Sequence, residues 1–164
     1  MRCTHGHQYT TAYHESGHVV VAHHFAAMLI GVNIRMMEAQ RGETIYSLTG
    51  DQPPEERIAI ILSGPIAQAR VAANINAVSD RIDASRLALQ DRTKPEAYVL
   101  LAKATQLAAK PLDARWSDVV NIAEILFRQK QLNGLQLAAL LGDTDAAEIL
   151  EDQQHYRRRK KAPR

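Results

Sequence analysis

His14, Glu15 and His18 are the residues of this chain whose types and spacing could do chemistry. They fall in the run His14-Glu15-Ser16-Gly17-His18, and on a helix both histidines project to one side, roughly 40° apart around the axis. Two imidazoles placed this way can grip one metal ion while the intervening glutamate stands beside it. A zinc ion held by such a pair keeps a position open for water, and the glutamate can take that water's proton. The run therefore points to metal-assisted hydrolysis, with His14 and His18 as ligands and Glu15 as general base. A helix whose histidines only cap or pack is the other use of the same residues. Gly17 costs a helix on the order of 1 kcal/mol against alanine, which makes sense if something approaches closely, at the metal or in helix packing.

A catalytic zinc needs a third protein ligand. His24 sits where the extended pattern H-E-x-x-H-x-x-G-x-x-H places its last histidine, but Val21 holds the glycine position that would turn the chain back. In an unbroken helix His24 lies roughly 120° from His18. His23 is no better placed, and both read as partly exposed helix residues. Glu38, Glu43, Glu55 and Glu56 read as loop, turn or first-turn residues, and the last two suit a helix N-terminus. Asp80 opens a helix after a polar link, with Ala84, Leu87 and Ala88 behind it to dock that helix on a core. Asp83, three residues on, is its rival.

The elements that must position these groups are mostly helical. The first helix is expected from about Thr11 to Leu29, with Thr10 or Thr11 as N-cap and Gly31 as its end. Val32 to Met36 alternates as a strand, Ala39 to Glu43 reads as a turn around Gly42, and Thr44 to Leu48 as a second strand. A helix from Pro54 to Ala73 carries Ile58, Ile61, Leu62 and Ile66 on one face, with Gly64-Pro65 expected to kink or split it. Asn74 and Asn76 mark a polar link to a helix from Ser79-Asp80 to about Leu89. Pro95 opens a long helix that Pro111 stops. Trp116 to Gln131 is amphipathic, with Val119, Val120, Ala123, Leu126 and Phe127 as its core stripe. Asn133-Gly134 ends it, a short helix covers Leu135 to Leu141, and Asp145 with Glu148 resembles a capping box for the last helix. The fold class expected is mainly α with a small hairpin or sheet. Residues 1–9 are expected to be a disordered terminus, 10–152 one domain, and 153–164 a basic tail.

Composition narrows the function classes. The chain has 164 residues, 46% hydrophobic and 23% charged, which suits one domain with a real core. Its formal net charge of +2 is uneven. Arg157, Arg158, Arg159, Lys160, Lys161 and Arg164 gather in the tail and leave a mildly acidic body, so a nucleic-acid-binding body is not expected. The single cysteine, Cys3, rules out an internal disulfide framework and suits a reducing, cytoplasmic setting. The N-terminus lacks a signal-peptide pattern. The apolar stretch Val19 to Val32 is interrupted by His23 and His24 and is too short to span a bilayer. A Walker-type phosphate loop is missing.

Tyr13-His14-Glu15-Ser16-Gly17-His18-Val19-Val20-Val21 resembles the A-Y-H-E-A-G-H-A-L signature of the FtsH-type zinc proteases. Leu62 to Gln68 is similar to that family's L-G-G-R-x-A-E segment. Val78 to Ser85 is similar to its A-S-N-D-x-x-x-A-T segment, and Trp116 to Leu140 to its closing region. The resemblance implies an FtsH-like peptidase-domain helical fold and a Zn2+ cofactor. It selects Asp80 over Asp83 as third ligand. It also implies that the strand from Val32 to Met36 is an edge that pairs with extended substrate. Pro65 and Gln68 depart from the family, which has arginine and glutamate there. The family's transmembrane segment and AAA+ ATPase have no counterpart here. The expected activity is thus a zinc-dependent endopeptidase acting on unfolded protein or flexible peptide. An ATPase partner in trans and a homo-oligomer, hexameric in the family, are the expected partners. A catalytically silent scaffold that keeps the fold is the alternative, and an adaptor working through the basic tail is a further one.

Overall fold

The computed structural model describes residues 4–34, 42–48, 50–73 and 78–161. Seven helices and three short strands occupy them: α1 (Thr4–His24), β1 (Met28–Asn33), β2 (Glu43–Ser47), α2 (Pro54–Ala69), α3 (Val78–Leu89), α4 (Lys94–Ala114), α5 (Trp116–Gln129), β3 (Gln131–Asn133), α6 (Gly134–Leu140) and α7 (Thr144–Lys161). The expectation of a mainly helical chain with a small sheet holds. No helix among these residues is long and apolar enough to cross a membrane.

Helix α1 is the axis of the molecule. Val19, Val20, Val21 and Ala22 are each fully buried, so its second half is enclosed on every side rather than amphipathic. One core forms around it from β1, β3, α5 and α6, with Leu112 of α4 joining. A second, alanine-rich core joins α2, α3 and α4 through Ile58, Ala84, Ala88, Ala97, Ala104 and Ala108. Where α1 meets α2, Gly17 explains its own presence. A methyl there would lie 2.6 Å from Ala67 Cβ and 2.7 Å from the Ser63 carbonyl, so only glycine lets the two helices come this close. Helix packing, not a ligand, is what approaches Gly17.

Several boundaries differ from those expected, for physical reasons. Helix α1 already begins at Thr4, inside the segment expected to be disordered. Thr10 and Thr11 are not caps; their hydroxyls donate back to the His7 carbonyl at 3.0 and 2.8 Å. Tyr9 packs on Tyr13 and Phe127, and Lys130 donates to Gln8, which ties this turn down. The helix stops at His24, not Leu29. Ala26 takes a left-handed conformation (φ 55°) and Ala27 donates to the Ala22 carbonyl, a C-terminal stop built without glycine. Gly31 lies within β1 instead of ending a helix.

Helix α2 runs unbroken through Gly64-Pro65, and Pro111 likewise lies inside the last turn of α4 rather than before its end. Asn133 does not terminate α5: Lys130 ends it in a left-handed cap, and Asn133 caps α6 by accepting from the Gln136 amide at 2.9 Å. Asp143, not Asp145, accepts from the Ala146 amide at the start of α7. That helix continues to Lys161 through the segment expected to be a loose tail; arginine and lysine are good helix formers and complement a helix C-terminus. The Ala39–Glu43 turn falls largely outside the described residues, as do Asn74 and Asn76.

The sheet corrects the expected edge. Its order is β2-β1-β3, with both pairs antiparallel. β1 starts four residues earlier than expected, and Gly31, Val32 and Asn33 are paired on both sides. β1 is therefore central. β2 and β3 are the edges among the described residues, and β2 is the edge whose Thr44 reaches α1.

Candidate metal centre

Three elements bring the candidate ligands together. His14 and His18 come from successive turns of α1, and Asp80 from the first turn of α3, which docks against α2. His14 Nε2 lies 3.1 Å from His18 Nε2 and 2.9 Å from Asp80 Oδ2. The three ligand atoms all fall within 4.8 Å of one another. The other candidates lie elsewhere. His23 hydrogen-bonds Arg115, and His24 is exposed against Phe25. Asp83 pairs with Arg86 and Glu55 with Lys103. Glu43 is exposed on β2, Glu56 sits in the first turn of α2, and Glu38 lies outside the described residues.

The far side of each ring decides what the near side can do. His14 Nδ1 donates to Gln68 Oε1 at 3.0 Å, and His18 Nδ1 donates to the Ile60 carbonyl at 2.8 Å. Both oxygens are acceptors only, so Nδ1 carries the proton and Nε2 presents a lone pair. Two lone pairs and a carboxylate oxygen then converge on one spot. Acceptors crowded like this repel unless a proton or a metal cation sits among them. Two nitrogens of a tetrahedral zinc site lie about 3.3 Å apart, close to the separation found here. Gly64 supplies the remaining space: a methyl on it would lie 2.7 Å from His14 Nε2 and run into His18 Nε2. The donor set and this hollow fit a divalent metal of the zinc type.

Without a metal, charge is shared across the cluster. Burial works against a charged His14, but the hydrogen bond that its protonated ring donates to Asp80 and the charges of Glu15 and Asp80 outweigh it and raise its pKa. Burial, reinforced by the His14 charge, holds His18 well below its ordinary value. Asp80 is lowered, because its bond to His14 and both histidine charges overcome its burial. Glu15 is 5% exposed. Burial pushes its carboxyl up to about 7, against the opposing pull of His14 and a hydrogen bond from Thr44.

No protein-family model matches the chain, and no curated protein matches it.

Gln68 is the side chain beside the candidate ligands whose part sequence reasoning left in doubt. A glutamate there would orient His14 with a charge; Gln68 does it with an amide oxygen, which serves the same geometry without adding negative charge. Pro65, the other departure, sits buried within α2, and both rings keep their hydrogen-bond partners beside it. Replacing Gln68 by leucine is expected to weaken zinc binding about 10- to 100-fold, whereas Gln68→Glu retains or tightens it. Competition titration against a chromophoric chelator reads both.

Proposed function

We propose that this chain is a zinc-dependent endopeptidase that hydrolyses peptide bonds in unfolded or flexible polypeptides. The observation that carries the reading is the meeting of three metal-competent atoms with the buried carboxyl of Glu15, on the helix that supplies two of them. His14, His18 and Asp80 would hold the ion. Zinc bound there supplies Lewis acidity to water and to a scissile carbonyl. Glu15 accepts the proton of the attacking water and passes it to the leaving amide nitrogen as the C–N bond breaks, so that one water is consumed per bond.

The retained glutamate favours catalysis over a silent scaffold, since metal binding by itself does not need Glu15. β2 supports the substrate class. An extended peptide can add to its unpaired side through main-chain hydrogen bonds, a mode that tolerates many sequences. Specificity would then be loose, and folded substrates would need an unfolding ATPase in trans. Assembly into a homo-oligomer and a cytoplasmic setting complete the proposal.

The test is direct. Zinc-loaded protein without ATP should cleave an unfolded fluorescent substrate, lose that activity on chelation and recover it on return of zinc. The folded form of the same substrate should stay intact. Zinc-loaded protein that leaves the unfolded substrate whole would favour a scaffold.

A further inference from the structure

We propose that Thr44 is a positioning residue for Glu15: its hydroxyl, on the open strand β2, holds Oε2 so that Oε1 is the oxygen that takes the proton. The proposal rests on the hydrolase reading above and adds to it the means by which the base is aimed. Glu15 has three rotatable side-chain bonds and sits in a nearly closed space, so something must choose its rotamer. Thr44 Oγ1 lies 2.7 Å from Glu15 Oε2 and 3.2 Å from the backbone carbonyl of Glu15. The single hydroxyl proton goes to the nearer, charged acceptor, where the bond is strongest.

Oε1 is treated differently. A methyl on Gly42 would lie 2.6 Å from Oε1 and 2.9 Å from Cγ of Glu15, and 2.7 Å from Thr11 Cγ2. The segment leading into β2 therefore walls the carboxyl while its missing side chain leaves Oε1 room. One short stretch, Gly42 to Thr44, thus tethers one oxygen and clears the other. Because β2 is paired only with β1 among the described residues, a peptide adding to its outer side would steady the same strand that aims the base. A threonine chosen only for strand packing would need its methyl and not its hydroxyl, and valine would serve equally well.

Three variants of the full chain separate these roles: Thr44→Val, Thr44→Ser and Gly42→Ala. Each is assayed for zinc affinity, thermal unfolding, and kcat and KM on the unfolded substrate. Thr44→Val should lower kcat about 10- to 100-fold, the loss expected for one charge-assisted hydrogen bond, with zinc affinity and KM within about twofold of wild type. Thr44→Ser should restore kcat to within a few-fold. Gly42→Ala, which keeps every strand side chain, should lower kcat by pushing Oε1 aside and decides the matter if Thr44→Val unfolds. Wild-type kcat in Thr44→Val, equal damage in Thr44→Ser, or loss of zinc along with activity would overturn the assignment while leaving the hydrolase reading intact. A wild type inactive on unfolded substrate would overturn both.

Discussion

Glu15→Gln, loaded with zinc, is expected to lose 10²- to 10⁴-fold in kcat and to keep its metal. The substitution preserves shape, and an amide oxygen can still accept from Thr44. What it removes is the capacity to bind a proton. The side chain is not a ligand in this arrangement, since the three converging atoms belong to His14, His18 and Asp80. Zinc affinity should therefore stay within a few-fold. Stability should hold or rise, because the variant buries a neutral group where wild type buries a carboxyl whose charge is opposed by desolvation. Kinetics and metal content measured on one preparation give the answer. Unchanged kcat would remove Glu15 from the chemistry, and lost zinc would make it a ligand.

Gly64→Ala should be nearly as severe, at a different step. Zinc affinity is expected to fall at least about 100-fold, a loss of the size that follows when ligands are pushed out of position. The added methyl would stand 2.7 Å from both His14 Nε2 and His18 Cε1. Neither ring can yield easily, because each is pinned through Nδ1 to Gln68 or Ile60. The backbone gives no reason for the fold to suffer: alanine favours a helix over glycine by about 1 kcal/mol. The expected signature is a folded, metal-poor protein. Wild-type zinc affinity in this variant would mean that the Nε2 atoms do not face the ion.

How much of this could be read from the chain depended on whether the cause was local. The His14/His18 pair was legible because four-residue spacing on a helix already places both rings on one side. The amphipathic stripe of α5 was legible for the same reason, with Val119, Ala123 and Leu126 buried as its period requires. Asp80 was not separable from Asp83 by spacing, since both sit near the start of one helix; the resemblance chose between them, and the structure places Asp80 at the histidines. The end of α1 was misread because Val19 to Val32 is apolar on both sides of His23-His24, so helix and strand periods are not separable there. Ala26 made the turn without the glycine that usually signals one. Gly64 read as a helix breaker because its purpose lies across an interface, in space that two imidazoles occupy. Thr44 carried no signal at all: its partner is 29 residues away in sequence.

Helix α3 carries Asp80 yet buries only Ala84 and Ala88 along its whole length. It is the most lightly seated element that contributes to the centre. A cation shared by Asp80 and His18 would close a loop of roughly 60 residues, and cross-linking a loop of that size removes about 4 kcal/mol of chain entropy from the unfolded ensemble by the reasoning applied to disulfides. The ion would thus be a reversible staple as well as a reagent, and the supply of metal would set how long the folded chain survives.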